Sequence, residues 1–238
     1  MPFTFSHPAI ILPFLKNKKL SGTALIVGSM SPDLEYFFRM KMQSEISHTL
    51  SGIFLIDFPL GFIVMFSFHE IIKRPLIENS PPFLQNRLQE LKEFNWVVYF
   101  KSAVFAVLIS FFLGAVSHIL WDSMTHWDGY MVQRFSFFNL QVFSVPLYKI
   151  AQHASSIIGL GWILYYVYKL PEKTKITKII NFNYWSLSVL FAVVLIAIRF
   201  YFGTQMNQIG NAIVSIISPM LLAISLTGLI FRNKKTIK

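Results

Sequence analysis

The sequence predicts an all-α, polytopic membrane protein: a transmembrane helical bundle of about five spans, preceded by an N-terminal interfacial or re-entrant helical segment. Of the 238 residues, 54% are hydrophobic and 13% are charged, and the mean hydropathy is +0.55. The 25 phenylalanines are typical of side chains that face lipid tails and membrane interfaces. Apolar runs long enough to cross a bilayer recur along the chain. We therefore expect one integral-membrane domain, residues 1–238, in a cell membrane.

The apolar segments can be interpreted in chain order. Residues 20–30 are too short to span a membrane and contain two glycines, so we expect an interfacial or half-buried helix whose end is capped by the Ser-Pro-Asp segment ending at Asp33. Five longer runs are candidate spans: residues 52–69, 97–120, 155–170, 184–202 and 209–231. The last two runs contain no histidine or acid. Residues 166–238 are therefore interpreted as two scaffold spans, and residues 1–165 as the motif-bearing region.

Charge and cysteine content exclude several classes of protein. The net charge is +10, but the basic residues lie mainly between the apolar runs and in the C-terminal tail (Arg232, Lys234, Lys235 and Lys238), which favours anionic lipid over nucleic acid as the partner. The same bias predicts that residues 70–96, residues 169–183 and the tail are cytoplasmic, which leaves a basic N-terminal region outside. There is no cysteine, so a transition metal would be bound by imidazole and carboxylate.

Five of the six histidines fall where predicted spans emerge on one face of the membrane. His7 and His48 precede the first span, His118 and His126 close the second, and His153 opens the third. His69 lies at the other face, where an interfacial residue is expected. A lone interfacial histidine is more often a hydrogen-bonded anchor than a ligand, and Asp33 after Pro32 is equally open as helix cap or ligand. Because five histidines are predicted on one membrane face, a cluster of metal ligands is favoured over separate interfacial anchors.

The segment SHILWDSMTH places His118, Asp122 and His126 at successive steps of four residues. On an α-helix each such step advances about 6 Å and rotates about 40°, so the three side chains would form one stripe. This stripe could place two ligands on one metal, or let the central carboxylate bridge two metals.

The predicted catalytic carboxylates are Asp33 and Asp122. The predicted metal ligands are His7, Asp33, His48, His118, Asp122, His126 and His153. Imidazole and carboxylate ligands suit a divalent cation; zinc is preferred, and manganese or iron is also compatible.

Five motifs carry a resemblance to a known family. In chain order over residues 1–165 they are PFTFSHPA, GSMSPDLEYF, SHTLSGIFLIDFPLG, GAVSHILWDSMTHWDG and PLYKIAQHASSIIG. They resemble the bacterial integral-membrane family DUF4184, a domain of unknown function, and are similar in order to membrane-bound metal-dependent hydrolases of the YdjM type. The resemblance implies a multi-pass protein of the bacterial inner membrane.

A more distant resemblance, to zinc-dependent phospholipases C and single-strand nucleases, implies how the ligands divide. It assigns Asp33, His48, His118 and Asp122 to one metal, His7 with Asp122 to a second, and His126 with His153 to a third. Ile157 stands where that pattern has a carboxylate, and its terminal Trp ligand is absent, so two metals are favoured over three.

These features together predict a membrane-bound metal-dependent hydrolase acting on phosphoester or ester bonds of lipids or lipid-linked molecules. The alternative is a non-catalytic metal-binding membrane protein or a transporter, although a transporter would place its ligands near the bilayer midplane. The HExxH motif that begins at His69 is incomplete because position 73 is lysine. Membrane lipid is the expected partner, and the oligomeric state is open.

Overall fold

The computed structural model describes residues 3–44, 46–173, 180–203 and 209–232. Within these ranges the regular structure is helical apart from one short antiparallel ladder, Gln141–Val142 (β1) with Val145–Pro146 (β2). The all-α prediction is confirmed. The tail residues Lys234, Lys235 and Lys238, and residues 174–179 of the predicted cytoplasmic loop, lie outside the described residues.

The α-helices in chain order are α1 (Gly22–Gly28), α2 (Leu34–Arg39), α3 (Leu50–Glu78), α4 (Pro82–Arg87), α5 (Gln89–Glu93), α6 (Trp96–Ser102), α7 (Val104–Thr125), α8 (Tyr130–Arg134), α9 (Leu147–Lys169), α10 (Phe182–Tyr201) and α11 (Ile209–Phe231). Helix α3 includes two π-helical stretches, Ile53–Asp57 and Phe68–Ile72. Tighter 3₁₀ segments cover Thr4–Lys16, Ser31–Asp33 and Ser136–Asn139. Pro8 and Pro13 lie inside the first of these, where their missing N–H groups interrupt an α-helical ladder.

Four helices among the described residues are long and apolar enough to cross a membrane: α3, α7, α10 and α11. The chain is therefore a helical membrane protein with several candidate spans, as the sequence predicts. The third predicted span lies within α9, which is 23 residues long but is not among the four, and Lys149, Gln152 and His153 make its first half polar. The second predicted span is divided, because α6 ends at Ser102 and α7 runs from Val104 to Thr125.

The described residues within 3–35, 44–62 and 102–169 form one compact unit. In it α1 packs directly on α7, since a Cβ atom at Gly114 would lie 2.5 Å from the Leu25 carbonyl oxygen. Ala24 is 0% exposed. The segment 20–30 therefore contains a helix with one buried face, in agreement with the half-buried alternative, because small residues let the two backbones approach closely. It ends at Gly28, and the predicted Ser-Pro-Asp cap is instead a separate 3₁₀ turn.

The described residues within 36–43, 63–101 and 170–232 form the other compact unit. Helices α10 and α11 pack side by side, and α11 also packs on the last turns of α3, where a Cβ atom at Gly228 would lie 2.8 Å from the Ile71 carbonyl oxygen. His69 is buried here and stacks on Trp96, with ring centroids 4.7 Å apart. His69 therefore packs against an indole inside the protein, and its position at the membrane interface stays a prediction.

Candidate metal centre

Three segments of the first unit bring imidazole and carboxylate side chains together. The 3₁₀ turn after α1 supplies Asp33, the turn before α3 supplies His48, and α7 supplies His118 and Asp122. The first two segments are tied together because the Ser47 hydroxyl donates to the Pro32 carbonyl over 2.8 Å. On α7 the spacing of four residues places both side chains on one face.

The four side chains converge on a common point. Asp33 Oδ1 lies 3.4 Å from His48 Nε2 and 3.6 Å from His118 Nε2. Asp122 Oδ2 lies 3.3 Å from His118 Nε2 and 3.8 Å from His48 Nε2. The four potential ligand atoms all lie within 4.8 Å of one another. The convergence expected for these four residues is therefore found.

These separations match shared coordination better than direct hydrogen bonding. Protein hydrogen bonds to oxygen measure about 2.7 to 3.2 Å, whereas two atoms each about 2.1 Å from one ion at a tetrahedral angle are about 3.4 Å apart. Asp33 Oδ1 and His118 Nε2 are also buried without a hydrogen bond among the described residues. Because unpaired buried polar atoms are costly, a cation between them would explain both. The four residues could hold a metal ion.

Hydrogen bonds around the centre orient two of the potential ligands. The Thr4 hydroxyl donates to Asp33 Oδ2 over 2.5 Å, which leaves Oδ1 for the centre. His118 Nδ1 lies 2.8 Å from the Ser29 carbonyl oxygen. A carbonyl only accepts, so Nδ1 carries a proton, and in the neutral ring the lone pair of Nε2 then faces the centre. The sequence did not single out Thr4 or Ser29: the Ser29 contact is made by its backbone, and the only signal for Thr4 is its position near His7.

The other carboxylate oxygen of Asp122 faces two further imidazoles. Asp122 Oδ1 lies 3.5 Å from His7 Nε2 and 3.5 Å from His126 Nδ1. His7 stacks on His118 with ring centroids 3.8 Å apart. Asp122 Oδ1, both His7 ring nitrogens and His126 Nε2 are buried without a hydrogen bond among the described residues. Asp122 therefore touches two groups of imidazoles, one through each oxygen.

His126 does not lie on the predicted helical stripe. Helix α7 ends at Thr125, and His126 has extended backbone angles (φ −113°, ψ 146°). Its Nδ1 lies 3.1 Å from the Asp122 carbonyl oxygen, so the ring is held at the helix end. The predicted proximity to Asp122 is found, although the helix is not what provides it.

Burial and neighbouring charges set protonation states outside the spans. Burial, reinforced by the nearby His118, lowers the pKa of His7 to about 3. Burial also lowers the pKa of His126. Burial alone would raise the pKa of Asp33, but His118 and His48 outweigh it and hold that pKa below its usual range. Neutral imidazole and ionised carboxylate are the states that bind metals.

His153 lies exposed on α9. The ion pairs and ring contacts that join the other six predicted ligands, as far as the structure describes them, do not include it. Its role as a metal ligand stays a prediction.

Comparison with known proteins places the chain in a family. No significant match was found among curated proteins or among solved structures. A family model described as "Domain of unknown function (DUF4184)" matches residues 1–229 and covers every residue of the centre. The chain belongs to the DUF4184 family.

Proposed function

We propose that this protein is a metal-dependent hydrolase of a bacterial cytoplasmic membrane, acting on phosphoester or ester bonds of lipids or lipid-linked molecules at the membrane interface. The observation that carries the proposal is the convergence of four potential ligand atoms, which all lie within 4.8 Å of one another. The His48 side chain is 29% exposed, whereas those of Asp33 and His118 are 0% exposed. A ligand set that is closed on most sides and open on one suits a catalytic site better than a structural one.

The proposed roles follow from the unpaired atoms. A divalent cation, preferably zinc, would supply Lewis acidity that polarises an ester oxygen and makes water a better nucleophile. Asp33 and Asp122 are the proposed catalytic residues, because Oδ1 of each is buried without a hydrogen-bond donor among the described residues. As ligands of the cation, these carboxylates would orient a water molecule beside it for attack on the ester. Thr4 keeps Asp33 in place while this happens.

A second cation at the other side of Asp122 belongs to the same proposal. His7 Nε2 and Asp122 Oδ1 are its proposed ligands, with His126 beside them. The unpaired nitrogens of His7 and His126 support this assignment. The Asp122 carboxylate would then bridge two cations, an arrangement that clamps both oxygens of a displacement reaction. His153 remains a proposed ligand on sequence grounds alone.

Hydrolysis by purified protein in detergent tests the proposal. Zinc-loaded protein should release product from a phospholipid with a fluorescent headgroup, and a chelator should stop the release. Asp122→Asn should lose at least 100-fold in rate, the order expected when a general base or bridging ligand is removed.

Asp128→Asn is the matched control, because Asp128 is exposed and, although its charge is felt by His126, it is not one of the proposed ligands. It should keep wild-type activity. Metal bound without turnover on phosphoester or carboxylic ester substrates would instead support a non-catalytic metal-binding protein. Equal activity in the two variants would remove Asp122 from the mechanism.

A further inference from the structure

A polar pocket lies within the second unit, where α10 ends and α11 begins. It is lined by Lys41, Arg199, Gly203 and Asn211, and its volume is about 230 Å³. That volume is many times what one water molecule needs, so a phosphate-sized group can fit. None of the predicted metal ligands lines it.

Hydrogen bonds hold the pocket wall on both sides of Lys41. The Arg199 Nη2 donates to the Met40 carbonyl over 2.9 Å, and the Met42 N–H donates to Asn211 Oδ1 over 2.8 Å. Met40 has φ +50°, a left-handed conformation that costs a residue other than glycine about 1 kcal/mol or more. Strained backbone of this kind persists where its surroundings fix it. The position of Lys41 at the pocket is therefore set by its neighbours.

The two cationic side chains have no carboxylate partner among the described residues. The ion pairs of this unit in the described ranges include neither Lys41 nor Arg199. Arg199 donates through Nη1 to the Gly203 carbonyl and through Nη2 to the Met40 carbonyl, which are neutral acceptors, and its Nε is buried with no hydrogen bond to any residue that the structure describes. The guanidinium is thus held in one orientation, but no described carboxylate neutralises its charge. A bound anion would supply that negative charge.

The pocket's position and chemistry point to one class of anion. Helices α10 and α11 are candidate spans, so their adjoining ends lie where spans leave the hydrocarbon. The planar guanidinium with a nearby ammonium is the combination that proteins use for phosphate oxygens. We propose that this pocket binds a phosphate group, supplied either by an anionic phospholipid headgroup or by free inorganic phosphate.

Binding of fluorescent phosphatidylglycerol to the purified full-length protein in neutral detergent, followed by anisotropy, tests the proposal. Lys41→Gln should weaken binding about fivefold, the equivalent of roughly 1 kcal/mol for one basic residue at a membrane surface. Lys41 is exposed, so the variant should fold. Lys101→Gln is the matched control, since Lys101 is also exposed in this unit and does not line the pocket; it should bind like wild type. Arg199→Lys keeps the charge but loses the planar fork, and should also weaken binding.

Competition identifies the source of the phosphate. Displacement by unlabelled phosphatidylglycerol but not by millimolar inorganic phosphate would support a lipid headgroup site. Displacement by inorganic phosphate as well would support a general phosphate site. Equal binding by Lys41→Gln and Lys101→Gln, or binding that does not saturate, would overturn the proposal.

Discussion

Replacing Gly114 by alanine tests how closely α1 and α7 must approach to build the metal centre. The added Cβ atom would lie 2.5 Å from the Leu25 carbonyl oxygen and 2.7 Å from the Ser29 nitrogen. Both are backbone atoms, so a change of side-chain rotamer cannot relieve the clash. Ordinary contact begins at 3.4 Å, so the helices would have to separate by about 0.9 Å.

That separation should reach the metal centre through Ser29. His118 follows Gly114 by four residues on α7, and its Nδ1 lies 2.8 Å from the Ser29 carbonyl oxygen. A shift of about 0.9 Å away from α1 would stretch this contact to about 3.7 Å, beyond hydrogen-bond range. We expect a destabilisation of about 1 to 3 kcal/mol from overpacking. We also expect metal affinity to fall about 10- to 100-fold, the usual cost of losing an outer hydrogen bond to a ligating histidine.

Thermal unfolding in detergent and metal content by mass spectrometry measure the two effects. Gly161→Ala is the matched control, because its added Cβ atom would lie more than 4 Å from every described atom outside the local backbone of its own helix. Gly161→Ala should match wild type in melting temperature and metal content, and Gly114→Ala should fall below it in both. If the two variants behaved alike, the close approach of α1 and α7 would not be needed for the centre, and the reasoning would be refuted.

Three further outcomes are expected. Thr4→Val removes the donor to Asp33 Oδ2 and should weaken metal binding about tenfold in competition with a chromophoric chelator, whereas Thr4→Ser should restore it; equal affinities would leave Thr4 without a role. Ser47→Ala removes the hydrogen bond to the Pro32 carbonyl and should make the position of His48 less fixed, so the metal affinity measured by the same chelator competition should fall. An unchanged dissociation constant for the metal would show that this hydrogen bond does not position His48. Removal of the metal by a chelator should lower the melting temperature, since a ligand at 1,000 times its Kd stabilises a protein by about 4 kcal/mol; an unshifted melting curve would contradict a metal bound only by the folded state.

The part of the site that the sequence predicts is the part that depends on local spacing and on helix ends. His118 and Asp122 are four residues apart on one long apolar helix, so their shared face follows from helical geometry. Asp33 and His48 are distant in sequence, but counting membrane crossings places them on the same face as the end of α7. Their convergence could therefore be expected before their distances were known.

The remainder depends on contacts that have no local sequence signal. The Ser29 carbonyl holds His118 because glycines bring α1 against α7, and the sequence shows the glycines but not their partners. His126 contacts Asp122 from beyond the end of α7. The spacing of four residues predicted that the two side chains are close, but the contact comes from the extended backbone after the helix, which the spacing does not reveal. Counting apolar residues predicted a span at residues 155–170, but the helix there, α9, begins with a polar half and is not among the four candidate spans.

Anomalous X-ray diffraction from crystals of the purified, metal-loaded protein, collected on both sides of the zinc absorption edge, tests most directly whether Asp33, His48, His118 and Asp122 bind one metal ion. We predict an anomalous peak about 2.0 to 2.2 Å from Asp33 Oδ1, His48 Nε2, His118 Nε2 and Asp122 Oδ2. The same data at the manganese and iron edges would identify the metal. Crystals that contain metal but show no peak between these four atoms would contradict the assignment.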